Sequence, residues 1–368
     1  MRFRAAVLEA TRQPMRIAEV EIGTLMAGDV LVRLGASGLC HTDLEVIDGQ
    51  LAYPLPIVLG HEGAGTVEAV GSAVTLAKPG DKVVCSWNPD CGRCFYCDRD
   101  QPILCEPFRE HQPKGRLTDG TIRMSMEGRP LHHFSVVSSH AEYCVIPEAG
   151  AVPVPAEIPD HLACLIGCGV MTGIGAVCRF ARVDAGSIVA IVGCGAVGLN
   201  AVQGARLARA AEIVAIDPSP ERRALAKTLG ATIVLDPKSE DAVKAVRGLS
   251  RARGADFVFE CAGSEAAMQG AIEMSRPGGE IVILGKVNVD QRVSFRFGSL
   301  MGERRITRSS YGGARPRRDF PWLAKLCLDG KIDLESLISE RIGLADINAG
   351  FDRMRRGETI RTVVDMGP

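Results

Sequence analysis

The chain has 368 residues, of which 46% are hydrophobic and 24% charged, with a formal net charge of -1. That length exceeds what one core usually supports, so two domains are expected. The near-neutral charge removes the electrostatic basis for nucleic acid or an anionic membrane as partner.

The N-terminus, MRFRAAVLEA, lacks a long apolar h-region. The apolar stretch Ile188 to Leu199 is too short and glycine-rich to span a bilayer, which predicts a soluble, cytoplasmic protein. Thirteen cysteines form an odd count in a chain far too long for a small disulfide scaffold. In a reducing compartment they are core residues or metal ligands. Cys85, Cys144, Cys164, Cys178, Cys261 and Cys327 stand singly in apolar surroundings and read as core.

The first half shows short strand-like runs, RAAVLEA, DVLVRLGA, GAGTVEAVG and DKVVCSW, separated by Gly and Pro turns. This grammar predicts a compact all-β or mixed domain. Between the runs lie GLCHTDLE and VLGHEGAG, which put Cys40 and His61 beside turn glycines. Next comes CGRCFYCDRDQPILC, with Cys91, Cys94, Cys97 and Cys105 spaced C-x2-C-x2-C-x7-C. Four thiolates complete a tetrahedral zinc with no open position, so this cluster is expected to be structural. An Fe–S run or a nucleic-acid-binding knuckle can also open with C-x2-C-x2-C. The wide fourth spacing, the missing C-P ending and the neutral charge weigh against both. Asp98 to Phe134 is polar and turn-rich and reads as a long excursion.

A catalytic zinc needs three protein ligands and one open position, and Cys2His is a known set. Cys168, in the glycine-rich IGCGVMTGIG, is the expected third ligand beside Cys40 and His61.

From Ser187 the pattern changes to alternating apolar runs, SIVAIVG, EIVAID, TIVL, ADFVFE and EIVILG, joined by helical stretches. In SPERRALAKTLG, Ser219 can cap and Pro220 suits the first helical position. Such alternation predicts a doubly wound α/β domain on a parallel sheet. Its first strand ends in Gly193-Cys194-Gly195-Ala196-Val197-Gly198, a G-x-G-x-x-G that opens a helix. The glycines allow a tight turn and close approach of a dinucleotide pyrophosphate. Asp217 ends the next strand, where a carboxylate accepts from ribose hydroxyls and repels a 2′-phosphate, favouring NAD over NADP. Arg222 and Arg223 follow it and temper that preference.

The order of Cys40-His41-Thr42-Asp43, Gly60-His61-Glu62-Gly63, the four-cysteine lobe, Gly167-Cys168-Gly169 with Thr172, and Gly193 to Gly198 resembles the zinc-dependent medium-chain alcohol dehydrogenases. The resemblance runs from about Phe3 to the C-terminal GETIRT. The long loop with DGTIRM and the segment YGGARPR look most like the class III and aryl-alcohol branches. The fold this implies is α/β: a GroES-like, β-rich catalytic domain (residues 1–169 and 313–368, with a structural zinc lobe) and a Rossmann domain (170–312).

From the resemblance, Cys40, His61 and Cys168 would hold a catalytic zinc, Asp43 would hold the His61 imidazole, and Glu62 would be a structural or transient zinc contact. Thr172 and Val197 would touch the nicotinamide, His41 and Arg361 the pyrophosphate, and Arg222 the adenosine ribose. Two zinc ions per chain and NAD are the implied cofactors, with an alcohol or aldehyde as substrate. A homodimer is expected, with a tetramer as the alternative. Thr42, two residues after a zinc ligand, is placed to take the hydroxyl proton. Glu45 stands where many members carry the histidine that ends the proton relay.

Trp87 matches a pocket position and suits an aryl alcohol, and Lys286 matches a pocket wall that is usually apolar. Arg109 coincides with the arginine that in class III enzymes binds a carboxylate of the glutathione adduct of formaldehyde. QLAYPLPIV lacks the acidic residues used opposite it. A primary, aryl or allylic alcohol is therefore expected, with the S-(hydroxymethyl)glutathione reaction as alternative. A catalytically silent member with a binding role is disfavoured, because all three ligand residues are present.

Overall fold

The structure is a computed structural model and describes residues 1–367. It divides into two compact units, one formed by Met1–Cys168 with the C-terminal segment from Arg315, the other by Gly169–Ala314.

In the first unit, five strands close a small barrel: Arg2–Leu8, Arg16–Ile22, Met124–Met126, Arg129–His133 and Ile57–Val58. Alternation builds it: in Arg16–Ile22, Ala18, Val20 and Ile22 are buried while Arg16 and Glu19 are exposed. The Asp98–Phe134 segment is more regular than its polarity suggests. It carries the helix Glu106–His111 and a hairpin whose Met124, Met126 and Leu131 fill the barrel core.

A seven-stranded sheet forms the rest of this unit, in the order Ala151–Pro153, Lys82–Cys85, Glu62–Val70, Asp29–Gly38, Arg361–Asp365 and Ile338–Gly343, with Tyr143–Pro147 also paired to Asp29–Gly38. Asp29–Gly38 pairs along both edges, which is why it reads as a near-continuous apolar run. The C-terminal strand Arg361–Asp365 takes the place beside Ala36, Ser37 and Gly38. This register brings residues from both ends of the chain to the turn that carries Cys40.

The second unit has six parallel strands in the order Ile233–Leu235, Glu212–Ile216, Ile188–Val192, Ala255–Glu260, Ser275–Ile283 and Arg305–Arg308. The five expected runs all form strands, and Arg305–Arg308 adds an edge that the pattern did not announce. Ser219 caps the helix Pro220–Leu229, accepting from the Arg222 amide at 3.2 Å. Strand order reverses between Ile188–Val192 and Ala255–Glu260, and in open α/β sheets the crevice at such a point binds ligands.

Among the described residues one helix, Asp160–Phe180, is long and apolar enough to cross a membrane, with a mean hydropathy of 1.8. It is longer than the apolar stretch Ile188–Leu199. In the fold 72% of the apolar helical window is buried within the protein, as in a core helix.

Candidate active site

Cys40 precedes the helix His41–Ile47 in extended conformation, φ -130°, and so stands at its N-terminus. Asp43, one turn in, is fully buried. Its carboxylate accepts from the Cys40 amide at 3.2 Å and the Gly60 amide at 3.0 Å, and Oδ1 lies 3.2 Å from His61 Nδ1. One side chain thus locks the two segments that carry Cys40 and His61. Holding Nδ1 leaves the other imidazole nitrogen for a metal. Gly60 has φ +92°, and a Cβ there would sit 2.6 Å from the His140 amide nitrogen. Only glycine lets the chain pass at this point.

Cys168 lies in a wide π-helical turn, Ile166–Val170, a local irregularity that is frequent at functional positions. Single donor atoms from Cys40, His61, Glu62 and Cys168 lie within 4.8 Å of one another. His61 and Glu62 are buried, while Cys40 and Cys168 are partly open. This set fits a zinc held by two thiolates and an imidazole.

The electrostatics agree. Cys168 hydrogen-bonding to Cys40, helped by His61 and Arg361, holds the Cys40 thiol well below its usual range against the effect of burial. Burial alone would depress His61, but the Asp43 carboxylate and the Cys40 thiolate outweigh it and raise the pKa to about 10. The site therefore gathers negative charge around a position for a cation.

Glu62 is fully buried, and its Oε2 accepts from the Arg361 guanidinium. Its Oε1 has no hydrogen-bond partner among the described residues, and Glu62 belongs to the same donor group as the two cysteines. Arg361, 5% exposed, pairs with Glu62 and interacts with Cys40 at this centre. Thr42 Oγ1 lies 3.9 Å from Cys40 Sγ, and the residue is half-buried. Glu45 is also half-buried, and His41 is exposed.

The second donor group comprises Cys91, Cys94, Cys97 and Cys105, again within 4.8 Å. Cys94 and Cys97 sulfurs are 3.4 Å apart, and those of Cys91 and Cys97 are 4.0 Å apart. Tetrahedral zinc with bonds of about 2.3 Å places its sulfurs roughly 3.8 Å apart. The Cys91 amide donates to Cys105 Sγ at 3.3 Å and the Glu106 amide to Cys94 Sγ at 3.5 Å, contacts that favour thiolates. The Glu106 amide is the main reason that the Cys94 pKa falls to about 7. The four sulfurs fit a closed structural zinc.

In the second unit, Gly193 has φ +94°, and a Cβ at Gly198 would lie 1.8 Å from the Gly193 carbonyl oxygen. At Gly195, just before the helix Ala196–Leu207, a Cβ would meet nothing within 4 Å. That open side is what a pyrophosphate needs for close approach. Asp217 is buried, its oxygens accepting from the Cys194 amide at 2.7 Å and the Ser219 amide at 2.8 Å. Arg223 turns back onto the Asp217 carbonyl and lies 3.3 Å from Asp236, while Arg222 is half-buried nearby. Thr172 and Val197 are half-buried. The helices that carry them meet at Gly173, where a Cβ would lie 2.4 Å from the Val197 carbonyl.

Trp87 is half-buried with its ring 6.1 Å from that of Phe108. Arg109 is exposed, its guanidinium 6.0 Å from the Tyr96 ring, and Lys286 is exposed in the second unit.

The sequence reading passed over two neighbours of the centre. Phe134 is fully buried and meets His61 edge-on at 5.6 Å and Tyr53 at 4.9 Å. His140 is fully buried, with Nε2 3.9 Å from Asp43 Oδ2, and burial pulls its pKa down to about 4. The only local signal was the polar trio Ser138-Ser139-His140 between apolar residues.

Comparison with known proteins gives two family matches: "Alcohol dehydrogenase GroES-like domain" over residues 26–156 and "Zinc-binding dehydrogenase" over residues 196–329. An S-(hydroxymethyl)glutathione dehydrogenase of Escherichia coli O1:K1 / APEC is 40% identical over 367 residues, covering 99% of this chain and 100% of the relative. Among solved structures, an alcohol dehydrogenase zinc-binding domain protein from Burkholderia ambifaria is 36% identical with a TM-score of 0.96, each chain covered in full. The benzyl alcohol dehydrogenase of Acinetobacter calcoaceticus is 31% identical with a TM-score of 0.94, again over both whole chains.

Proposed function

The chain belongs to the zinc-dependent medium-chain alcohol dehydrogenase family, and from that premise we propose that it interconverts a primary alcohol, aryl or allylic, and its aldehyde with NAD. The observation that carries this reading is the convergence of Cys40, His61 and Cys168, with both sulfur residues partly open. We assign catalysis to the first unit and cofactor binding to the second.

When bound, zinc supplies Lewis acidity that eases proton loss from a hydroxyl and polarises a carbonyl, and the nicotinamide supplies the hydride acceptor. Cys40, His61 and Cys168 would hold the metal, and Asp43 fixes the tautomer and orientation of the His61 ring. Thr42, its hydroxyl near Cys40 Sγ, takes the proton from the substrate. Glu62, tethered by Arg361, keeps a buried negative charge beside the metal position. Gly195 leaves space for the pyrophosphate, and Asp217 presents its remaining lone pairs to the ribose hydroxyls. Arg223 is occupied by Asp236 and the Asp217 carbonyl, which supports NAD over NADP.

The benzyl alcohol dehydrogenase likeness and the apolar side chains Leu51, Tyr53 and Leu55 packed on the core favour an uncharged substrate. The second reading, oxidation of S-(hydroxymethyl)glutathione, is favoured by exposed Arg109 and by the name of the 40%-identical relative. A screen following NADH absorbance with benzyl alcohol against formaldehyde plus glutathione, repeated with NADP, separates them. Turnover of the thiol adduct alone would reverse the ranking.

The exposed apolar residues Val289, Phe297 and Met301, close in sequence to the edge strand Arg305–Arg308, support a homodimer formed through that face. All thirteen cysteines are free thiols, in keeping with the reducing cytoplasm.

A further inference from the structure

The carboxylate that fixes His61 has a second buried imidazole beside it. His140 Nε2 lies 3.9 Å from Asp43 Oδ2 and has no hydrogen-bond partner among the described residues. Its other nitrogen, Nδ1, is 3.0 Å from Ser37 Oγ, and Ser37 Oγ is 2.7 Å from Ser139 Oγ. All four residues are buried, with His140, Ser37 and Ser139 at 0% exposure. An unpaired polar atom at that depth is costly, so its direction carries information.

The geometry selects one tautomer. A proton on Nδ1 would leave the Nε2 lone pair facing a carboxylate, acceptor against acceptor. A proton on Nε2 turns an N–H toward Asp43, and the Ser37 hydroxyl then donates to Nδ1. The ring cannot drift from this pose. The His140 amide donates to the Leu59 carbonyl at 3.0 Å, its carbonyl accepts from Ala6 at 2.9 Å, and its ring meets Phe351 edge-on at 5.8 Å. Gly60, immediately before His61, lacks a side chain where His140 approaches.

We propose that His140 is a positioning residue of the catalytic metal centre: its Nε2–H faces the Asp43 carboxylate across 3.9 Å and acts on it electrostatically, so that the hydrogen-bonded Ser139, Ser37 and His140 bear on Asp43 and, through it, on His61. The inference rests on the reading of Cys40, His61 and Cys168 as zinc ligands. His140 touches no substrate and acts through Asp43 on the orientation of the His61 ring. Groups hydrogen-bonded directly to a metal ligand, as Asp43 is to His61, typically change metal affinity by about 10–100-fold, and His140, one contact further out, acts at the lower end of that range.

The experiment is chelator competition on the full-length, zinc-loaded protein, following release of each zinc separately, with His140→Phe and His140→Gln. Phenylalanine keeps the ring and its packing on Phe351 but removes the donor. Glutamine can return an N–H to the Nε2 position. The expected result is zinc held about tenfold less tightly at the catalytic site in His140→Phe, largely restored in His140→Gln, with the four-cysteine zinc unchanged in both. Equal catalytic-zinc affinity in wild type and His140→Phe overturns the proposal. If His140→Phe does not fold, Ser37→Ala takes its place, and an unchanged affinity there overturns it too. A wild-type chain that binds only the four-cysteine zinc would overturn both the ligand assignment and this inference, whereas two zincs with no effect of His140 overturn the inference alone.

Discussion

Arg361 forms an ion pair with Glu62 although the two residues are 299 positions apart, and both are buried, at 5% and 0% exposure. The C-terminal strand Arg361–Asp365, paired with Asp29–Gly38, delivers the guanidinium to a carboxylate at the start of the strand Glu62–Val70. Removing the cation alone leaves an uncompensated buried charge. Arg361→Met should therefore cost about 3–5 kcal/mol in chemical denaturation. The double variant Glu62→Gln/Arg361→Met should recover a large part of that loss. Equal stability of the single and double variants would sink the pairing argument.

The two cysteine groups should separate in their effects. Cys94→Ser removes one of four ligands that clasp a lobe built of short turns, and it should lower zinc to about one per chain and reduce stability by several kcal/mol. Cys40→Ser should leave the protein folded but abolish turnover. Metal analysis beside thermal unfolding and an alcohol assay checks both, and an active Cys40→Ser enzyme would contradict the ligand assignment.

The glycine loop predicts opposite outcomes at two neighbouring positions. At Gly198 a methyl group would collide with the Gly193 carbonyl, so Gly198→Ala should destabilise the second unit by roughly 1–3 kcal/mol. At Gly195 the methyl enters open space, so Gly195→Ala should fold normally. It should raise KM for NAD about tenfold, equivalent to about 1.4 kcal/mol, because the pyrophosphate can no longer approach the backbone. Unchanged cofactor binding in Gly195→Ala would remove the loop from the cofactor site.

His133 sets part of the acid limit of stability. It is fully buried, and its Nε2 accepts from the Arg123 amide at 3.0 Å. Burial foremost, then Arg123 and His132, pulls its pKa from 6.5 to about 3. The unfolded chain therefore binds a proton that the folded chain refuses. The contribution is complete above pH 6.5 and is lost as pH falls from 6.5 toward about 3, on the order of a few kcal/mol. His133→Gln keeps an acceptor for Arg123 and cannot titrate, so denaturation midpoints between pH 4 and 7 should vary less than in wild type. Parallel pH profiles would exclude this role.

Features set by neighbours along the chain were legible before folding. The C-x2-C-x2-C-x7-C spacing brings four sulfurs together because short turns need few residues to close. The G-x-G-x-x-G turn, the Ser219 cap and five of the six parallel strands were legible for the same reason, since period, cap and turn chemistry act within a few residues. Cys40, His61 and Cys168 were legible through the order of their motifs.

Tertiary structure alone decided what crosses between distant segments. The hairpin that completes the barrel inside a polar excursion, the commitment of Arg361 to Glu62, and the burial of His140 beside Asp43 all depend on sheet register and chain crossing. Burial gives these side chains their chemistry. The residue type of an arginine, a histidine or a carboxylate does not say which distant side chain it will face. Only after the strands pair and water leaves must each charge find a partner, and that requirement brings Arg361 to Glu62 and His140 to Asp43.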